Sequence, residues 1–171
     1  MSDVPLQTLT GFNTAPADHV EAALLECCSS RQWAHAVASQ RPYPSPAALY
    51  QAADAALDDL DDAEVAAALA GHPRIGERAG STHSAGSGRE QAGVSQSTAS
   101  TLAALLNGNR EYEARFGHVY LVCADGRSGE ELLAVLGDRL GNDPMTEWAT
   151  TKIELAKINR LRLRRLIGPH R

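Results

Sequence analysis

Alanine and leucine supply most of the apolar residues of this chain, β-branched runs are scarce, and aromatic residues make up only 5%. Alanine and leucine enter a helix at little cost, whereas strands draw on β-branched and aromatic side chains. An all-α chain is therefore expected. With 171 residues it suits one domain with one core, which needs no staples at this size.

Punctuation residues divide the chain into helices. Pro16 reads as the first turn of a helix reaching about Ser30, where a missing N–H matters least, and a second piece runs from Arg31 to Gln40. The run Arg41-Pro42-Tyr43-Pro44-Ser45-Pro46 breaks the chain, with Ser45 as N-cap and Pro46 as first residue of a helix to about Leu60. Asp61 or Asp62 restarts an alanine-rich helix that Gly71 ends. Ser87-Gly88-Arg89-Glu90 has the S-x-x-E form of a capping box, so a helix is expected to start there. Leu102, Leu105, Leu106, Tyr112 and Phe116 then recur at helical spacing, with a bend expected at Asn107-Gly108-Asn109. Ser128-Gly129-Glu130-Glu131 is a second box, opening a helix to Leu140 that Gly141 closes. Asp143-Pro144 begins a long terminal helix ending before Gly168-Pro169. Between these, His118-Val119-Tyr120-Leu121-Val122-Cys123-Ala124 is short, apolar and bounded by Gly117 and Asp125-Gly126, which predicts an extended, buried segment. The expectation over residues 1–171 is a single-domain bundle of about eight helices with one such segment.

A net charge of -5 argues against a nucleic-acid partner, because phosphate binding needs a basic surface that displaces counterions. Three cysteines, Cys27, Cys28 and Cys123, cannot all pair and show no C-x-x-C spacing, which suits reduced thiols inside a cell. No stretch approaches the ~20 apolar residues of a membrane span, and the start lacks a charged segment followed by an apolar run. A cytoplasmic protein without membrane or nucleic-acid partners is expected.

The residues with the most chemical promise lie in Gly71-His72-Pro73-Arg74-Ile75-Gly76-Glu77. Pro73 fixes its own φ and pushes His72 out of helical geometry, so the imidazole projects from an irregular segment. Loops on rigid scaffolds often carry catalytic groups. Two readings stand: a held proton donor, or a helix closed by Gly71 with His72 against its last carbonyls. Residues 76–88, rich in Gly, Ser and His, read as a loop or lid. Ser87 and Glu90 either cap a helix or present its N-terminus to a polar ligand. In the last helix Leu155, Ile158, Arg162 and Leu166 share a face, so Arg162 interrupts an apolar stripe and needs a carbonyl or anionic partner, internal or from a substrate. Residues 120–124 offer mainly backbone N–H and C=O groups, which either fill a core or read an amide-like ligand. His19, His35, His83, His118 and His170 lack metal-ligand spacing, and no phosphate or dinucleotide fingerprint is present. Cofactor-free acid/base chemistry is the most economical enzyme reading.

Together, His72-Pro73-Arg74-Ile75-Gly76, Ser87-Gly88-Arg89-Glu90-Gln91, Phe116-Gly117 before the apolar run, and Lys157-Ile158 leading to Leu161-Arg162-Leu163 resemble the OHCU decarboxylase family. The resemblance covers nearly the whole chain, including Trp33, Gln40-Arg41-Pro42-Tyr43 and Asn142-Asp143-Pro144. It implies an all-helical homodimer that needs no metal or organic cofactor. The implied activity is decarboxylation of 2-oxo-4-hydroxy-4-carboxy-5-ureidoimidazoline (OHCU) to (S)-allantoin, completing urate conversion. By the same resemblance His72 is the proton donor, and Glu90 is expected to keep its imidazole oriented. Pro73, Ser87, Gly88, Arg89, Glu90, Gln91, Tyr120, Leu121, Val122, Cys123, Ala124 and Arg162 fall on substrate-binding positions. Two departures stand out: His118-Val119 replaces an aromatic followed by proline, and the 79–86 loop is long and rich in small residues. The competing readings are a catalytically idle helical interaction module and a metal-dependent hydrolase using His72, His83 and a carboxylate.

Overall fold

A computed structural model describes residues 6–77 and 85–168. Among the described residues there are nine α-helices, one 3-10 turn and no strand. The helices are α1 (Leu9–Thr14), α2 (Ala17–Cys27), α3 (Arg31–Ser39), α4 (Pro46–Asp58), α5 (Asp62–Ala70), α6 (Ala85–Glu90), α7 (Ala99–Phe116), α8 (Gly129–Leu140) and α9 (Pro144–Leu166). The one unanticipated helix is α1. Its six residues bury only Phe12 as a large apolar group, Leu9 being half-buried, and Thr8 caps the helix through Gly11 N–H. Among the described residues no helix is long and apolar enough to cross a membrane.

The chain divides into two compact units: one takes the residues up to Ala68 and again from Ala156, the other is Leu69–Leu155. In the first, the expected caps are in place. Ser45 Oγ accepts from Ala48 N–H at 3.2 Å with Pro46 in the first turn of α4, and Asp61 Oδ1 accepts from Glu64 N–H at 2.8 Å ahead of α5. Trp33 is fully buried and its indole N–H donates to Ala53 C=O at 2.9 Å. The break after α3 is tied down by polar contacts: Arg41 Nη1 donates to the carbonyls of Phe12 and Ala15. Asn13 pairs with both backbone groups of Tyr43 at 2.9 Å. Proline-rich turns lack donors, and these side chains order the turn instead.

The second unit builds its core from Ile75, Val94, Leu105, Tyr112, Tyr120, Val122, Ala124, Leu132 and Leu136. Helix α7 starts at Thr98, whose side chain accepts from Thr101 N–H, and ends at Gly117 with φ +77, a left-handed position that suits glycine. The bend expected at residues 107–109 is absent, for α7 runs unbroken. Gly108 serves packing: a Cβ there would stand 2.5 Å from Leu136 Cδ2, so it permits the close approach of α8. The capping box at Ser128 and Glu131 forms as expected, and Asp143 accepts from Met145 and Thr146 N–H to begin α9.

The box expected at Ser87 and Glu90 does not start a helix. Helix α6 spans Ala85–Glu90, so Ser87 lies inside it and Glu90 is its last residue. The local S-x-x-E pattern had no apolar run behind it to bury: after Glu90 only Val94 is buried before Leu105, and packing decides whether a short helix persists.

Residues 119–124 lie outside any helix and have no strand beside them among the described residues. Tyr120, Leu121, Val122 and Ala124 are buried, so their backbone groups need internal partners. Arg139 Nη1 donates to Leu121 C=O at 2.5 Å. Cys123 N–H donates to Glu154 Oε2 at 2.8 Å. Arg127 N–H donates to Ala124 C=O at 3.0 Å. Arg139 is itself buried with Glu147, which is 0% exposed; its Nε and Nη2 donate to Glu147 Oε1 at 2.8 and 2.5 Å. The Tyr112 hydroxyl and Asn142 Nδ2 also donate to Glu147. Burial pushes the Glu147 carboxyl up, but hydrogen bonds from Arg139, Tyr112 and Asn142 outweigh it and hold this group below the ordinary carboxylate range.

Removing one member of a buried ion pair strands the other, so Arg139→Met is expected to lose about 3–5 kcal/mol. Arg139→Met combined with Glu147→Leu is expected to lose less, both measured by urea denaturation. Because the folded pKa of Glu147 is depressed, its contribution is present above the unfolded value of about 4.3 and fades as pH falls through the lower folded value. Acid titration of stability should show this fall in the wild type and a smaller one in Glu147→Gln.

Candidate active site

Helix α5 ends at Ala70, and beyond Gly71 the His72 N–H closes it by donating to Leu69 C=O at 3.0 Å. The backbone of His72 thus fills the structural role left open by the sequence. The residue is 8% exposed and borders a cleft of about 460 Å³, also lined by Pro73, Arg74, Glu113, His118 and Val119. The main chain of His72 thus meets the capping reading of the His-Pro segment, and the imidazole borders the cleft.

Three grips hold the loop that follows. Arg74 makes a two-pronged pair with Glu113, Nε to Oε1 at 2.5 Å and Nη2 to Oε2 at 3.0 Å, and this pair holds the Glu113 carboxyl below its usual range. Asn109 Nδ2, buried on α7, donates to Ile75 C=O at 2.8 Å. Gln91 grips from both ends of its amide: Oε1 accepts from Gly76 N–H at 3.0 Å and Nε2 donates to Arg74 C=O at 3.3 Å. Gly76 has φ +87, a turn that a side chain would strain. An imidazole followed directly by such a braced turn loses little orientational freedom when it meets a ligand, which is how positioning contributes to rate.

The stretch from Ser87 to Gln91 splits by direction. Ser87 and Glu90 are buried, Gly88 and Arg89 face solvent, and Gln91 braces the His72 loop. A helix N-terminus offered to a ligand at Ser87 is not formed, since α6 begins before it. Burial raises the Cys123 thiol pKa; a backbone hydrogen bond at Asp125 opposes this, and the charges of Glu154, Glu90 and Asp125 add to it. That thiol therefore stays protonated and is a poor nucleophile. In the same segment the Tyr120 hydroxyl is spent on Leu132 C=O at 3.0 Å. What residues 120–124 can offer is backbone, as the sequence suggested, although Leu121 C=O and Cys123 N–H are engaged by Arg139 and Glu154.

His72, Pro73, Ser87, Gly88, Arg89, Glu90, Gln91 and residues 120–124 all belong to the Leu69–Leu155 unit. Arg162 belongs to the other unit, where Nη1 donates to Cys27 C=O at 3.1 Å. Its charge also acts on Cys28, whose thiol burial pushes up to about 11 against the opposing pull of Asn159, Ser30 and Arg162. The carbonyl partner that an arginine on an apolar stripe requires is thus present. Among the described residues no group of three His, Cys, Asp or Glu side chains could hold a metal ion; His83, His170 and residues 78–84 of the expected lid lie outside them.

Sequence reasoning missed Arg139, Glu147, Asn109 and Glu154. A signal existed for the first: Leu132, Leu136 and Arg139 share a helix face, the same interruption of an apolar stripe that drew attention to Arg162. Asn109 and Gln91 gave no local signal, because their partners are backbone groups 34 and 15 residues away.

Gln91→Ala is expected to cost about 1 kcal/mol, the net worth of ordinary hydrogen bonds, while releasing the turn after His72. Amide exchange should accelerate at Gly76 and stay unchanged in α7 and α8; unchanged exchange at Gly76 would show that the brace is not formed in solution.

Comparison with known proteins matches this architecture. The model of the OHCU decarboxylase family fits residues 13–164. The 2-oxo-4-hydroxy-4-carboxy-5-ureidoimidazoline decarboxylase of Amia calva is 31% identical over 138 residues, covering 78% of this chain and 79% of that protein. The uric acid degradation bifunctional protein TTL of Arabidopsis thaliana is 28% identical over 147 residues; the match covers 83% of this chain but 45% of that protein, so this chain spans less than half of its length. A crystal structure of OHCU decarboxylase in the presence of (S)-allantoin superposes with a TM-score of 0.73 at 27% identity, covering 90% of this chain and 99% of that one. With the family matched from before α2 almost to the end of α9, this chain belongs to the OHCU decarboxylase family.

Proposed function

We propose that this chain decarboxylates OHCU to (S)-allantoin and CO2, the closing step of urate-to-allantoin conversion, without a cofactor. The observation that carries this reading is a buried imidazole on a braced turn, in the same unit as the buried carboxylate of Glu90, within a chain of this family. Relatives named for this decarboxylation and a related crystal structure obtained with (S)-allantoin support it.

The substrate supplies its own electron sink. The carbon that loses CO2 bears a hydroxyl and adjoins a ring C=N bond, so the C–C electron pair moves toward the ring and the nitrogen takes up a proton. The hydroxyl-bearing carbon then becomes a carbonyl as the ureido-bearing carbon accepts a proton. His72 delivers that proton to one face, with Glu90 keeping the imidazole oriented. A substrate carboxylate held near Glu90 is pushed toward loss as CO2. Pro73 walls the site, and Ser87, Gly88, Arg89 and Gln91 with the backbone of residues 120–124 hold the ring and ureido groups. Arg162 adds a planar donor fork for a carbonyl.

We further propose that residues 1–171 act as one OHCU decarboxylase-like domain, since one family model spans both units. A homodimer is supported by the family resemblance and by Met145 and Ile153, large apolar side chains exposed on α9. A cytoplasmic location is supported by Cys27, Cys28 and Cys123, which form no disulfide.

Freshly generated OHCU, followed by circular dichroism of the allantoin formed, tests the activity. Fast appearance of one enantiomer, insensitive to a chelator, is expected. Racemic product at the spontaneous rate would favour an idle helical module, and chelator-sensitive turnover a metal enzyme. His72→Ala should lose about 10²- to 10⁴-fold in kcat while remaining folded. Arg162→Lys should impair substrate use more than stability, since an ammonium cannot reproduce bidentate contacts; unaltered kinetics would return Arg162 to its structural bond with Cys27.

A further inference from the structure

We infer that Glu154 is a positioning residue for this reaction, setting the backbone of residues 120–124 against the substrate; this rests on the decarboxylase reading above. Glu154 is buried on α9, 8% exposed, and its Oε2 accepts from Cys123 N–H at 2.8 Å. A carboxylate is costly to bury, and one engaged to a main-chain amide gives a charge-assisted bond about twice as strong as a neutral one. Two residues earlier in the chain, Arg139 holds Leu121 C=O. In an extended backbone, residues two apart turn their N–H and C=O groups to the same edge. Arg139 and Glu154 therefore fasten one edge of the segment, at residues 121 and 123, and turn the edge at Val122 the other way. That edge is the one able to read the amide-like groups of a ureide.

Other parts of the segment leave this role to the backbone. The Cys123 thiol lies among the charges of Glu154, Glu90 and Asp125 and stays protonated, and the Tyr120 hydroxyl is bound to Leu132.

Reach and charge can be separated by two substitutions. Glu154→Gln keeps the reach and an acceptor oxygen but removes the charge; Glu154→Asp keeps the charge and shortens the reach. For a positioning residue, Glu154→Gln should stay within about threefold of wild type, a neutral bond replacing a charged one. Glu154→Asp should raise KM for OHCU and Kd for (S)-allantoin about tenfold, the worth of one such bond, with kcat changed much less. Amide exchange at Cys123 should quicken in Glu154→Asp and not in Glu154→Gln. Wild-type KM and Kd in Glu154→Asp, or an equal loss in both variants, or a fall in kcat alone, would overturn the assignment while leaving the decarboxylase reading intact. A wild-type chain that neither turns over OHCU nor binds (S)-allantoin overturns that reading and the role of Glu154 with it.

Discussion

A buried backbone segment with no strand beside it must find its hydrogen-bond partners among side chains, and that constraint organises the Leu69–Leu155 unit. Residues 119–124 are apolar enough to bury and too short to form a sheet alone. Their carbonyl and amide groups are met by Arg139 and Glu154. Meeting them that way requires burying charge, and burying charge requires further partners. Hence Glu147 faces Arg139, Tyr112 and Asn142 face Glu147, and Thr151 accepts from Arg139 at 3.2 Å. The guanidinium also lies 5.0 Å from the centre of the Tyr120 ring, where its charge meets the ring face. Polar groups from α7, α8 and α9 thus converge because one short stretch between helices cannot satisfy itself.

The His72 turn solves the same problem with neutral amides. Asn109 and Gln91 take the main-chain groups of Ile75, Gly76 and Arg74, while the Arg74–Glu113 pair holds the exposed side of the loop. The result is a turn without regular structure that is nevertheless determined at several points. For a reaction whose substrate carries its own electron sink, a braced proton donor and a shaped backbone are sufficient chemistry, which fits the decarboxylase proposed here. On the proposed decarboxylase reading, the network around 119–124 serves ligand reading and the grips around 72–77 serve proton delivery.

Much of the fold was legible because helix ends are local events. Ser45-Pro46, Ser128 with Glu131, Asp143-Pro144 and Gly117 act within a few residues, and each stands where the sequence put it. The same locality explains the failures. Ser87 and Glu90 carry the box pattern, but no apolar run follows to hold a helix on it, and the start of the long helix fell to Thr98. Helix α1 escaped notice because six residues carrying only Leu9 and Phe12 do not make a period. The expected bend at Gly108 was a glycine read by its backbone freedom when its use is the contact with Leu136.

From the sequence alone came the all-α class, most helix boundaries, the His-Pro turn, the buried apolar run before α8 and the family to which the chain belongs. Each depends on propensity, capping or short-range order, which act between near neighbours along the chain. Tertiary structure alone decided that Gln91 is a brace, that Arg139 and Glu154 fasten residues 121 and 123, and that Asn109 holds Ile75. Those partners are separated by 15 to 34 residues, and a hydrogen bond between distant residues leaves no periodic trace in either stretch. It is specified only once packing has brought a buried donor and a buried acceptor within reach of each other.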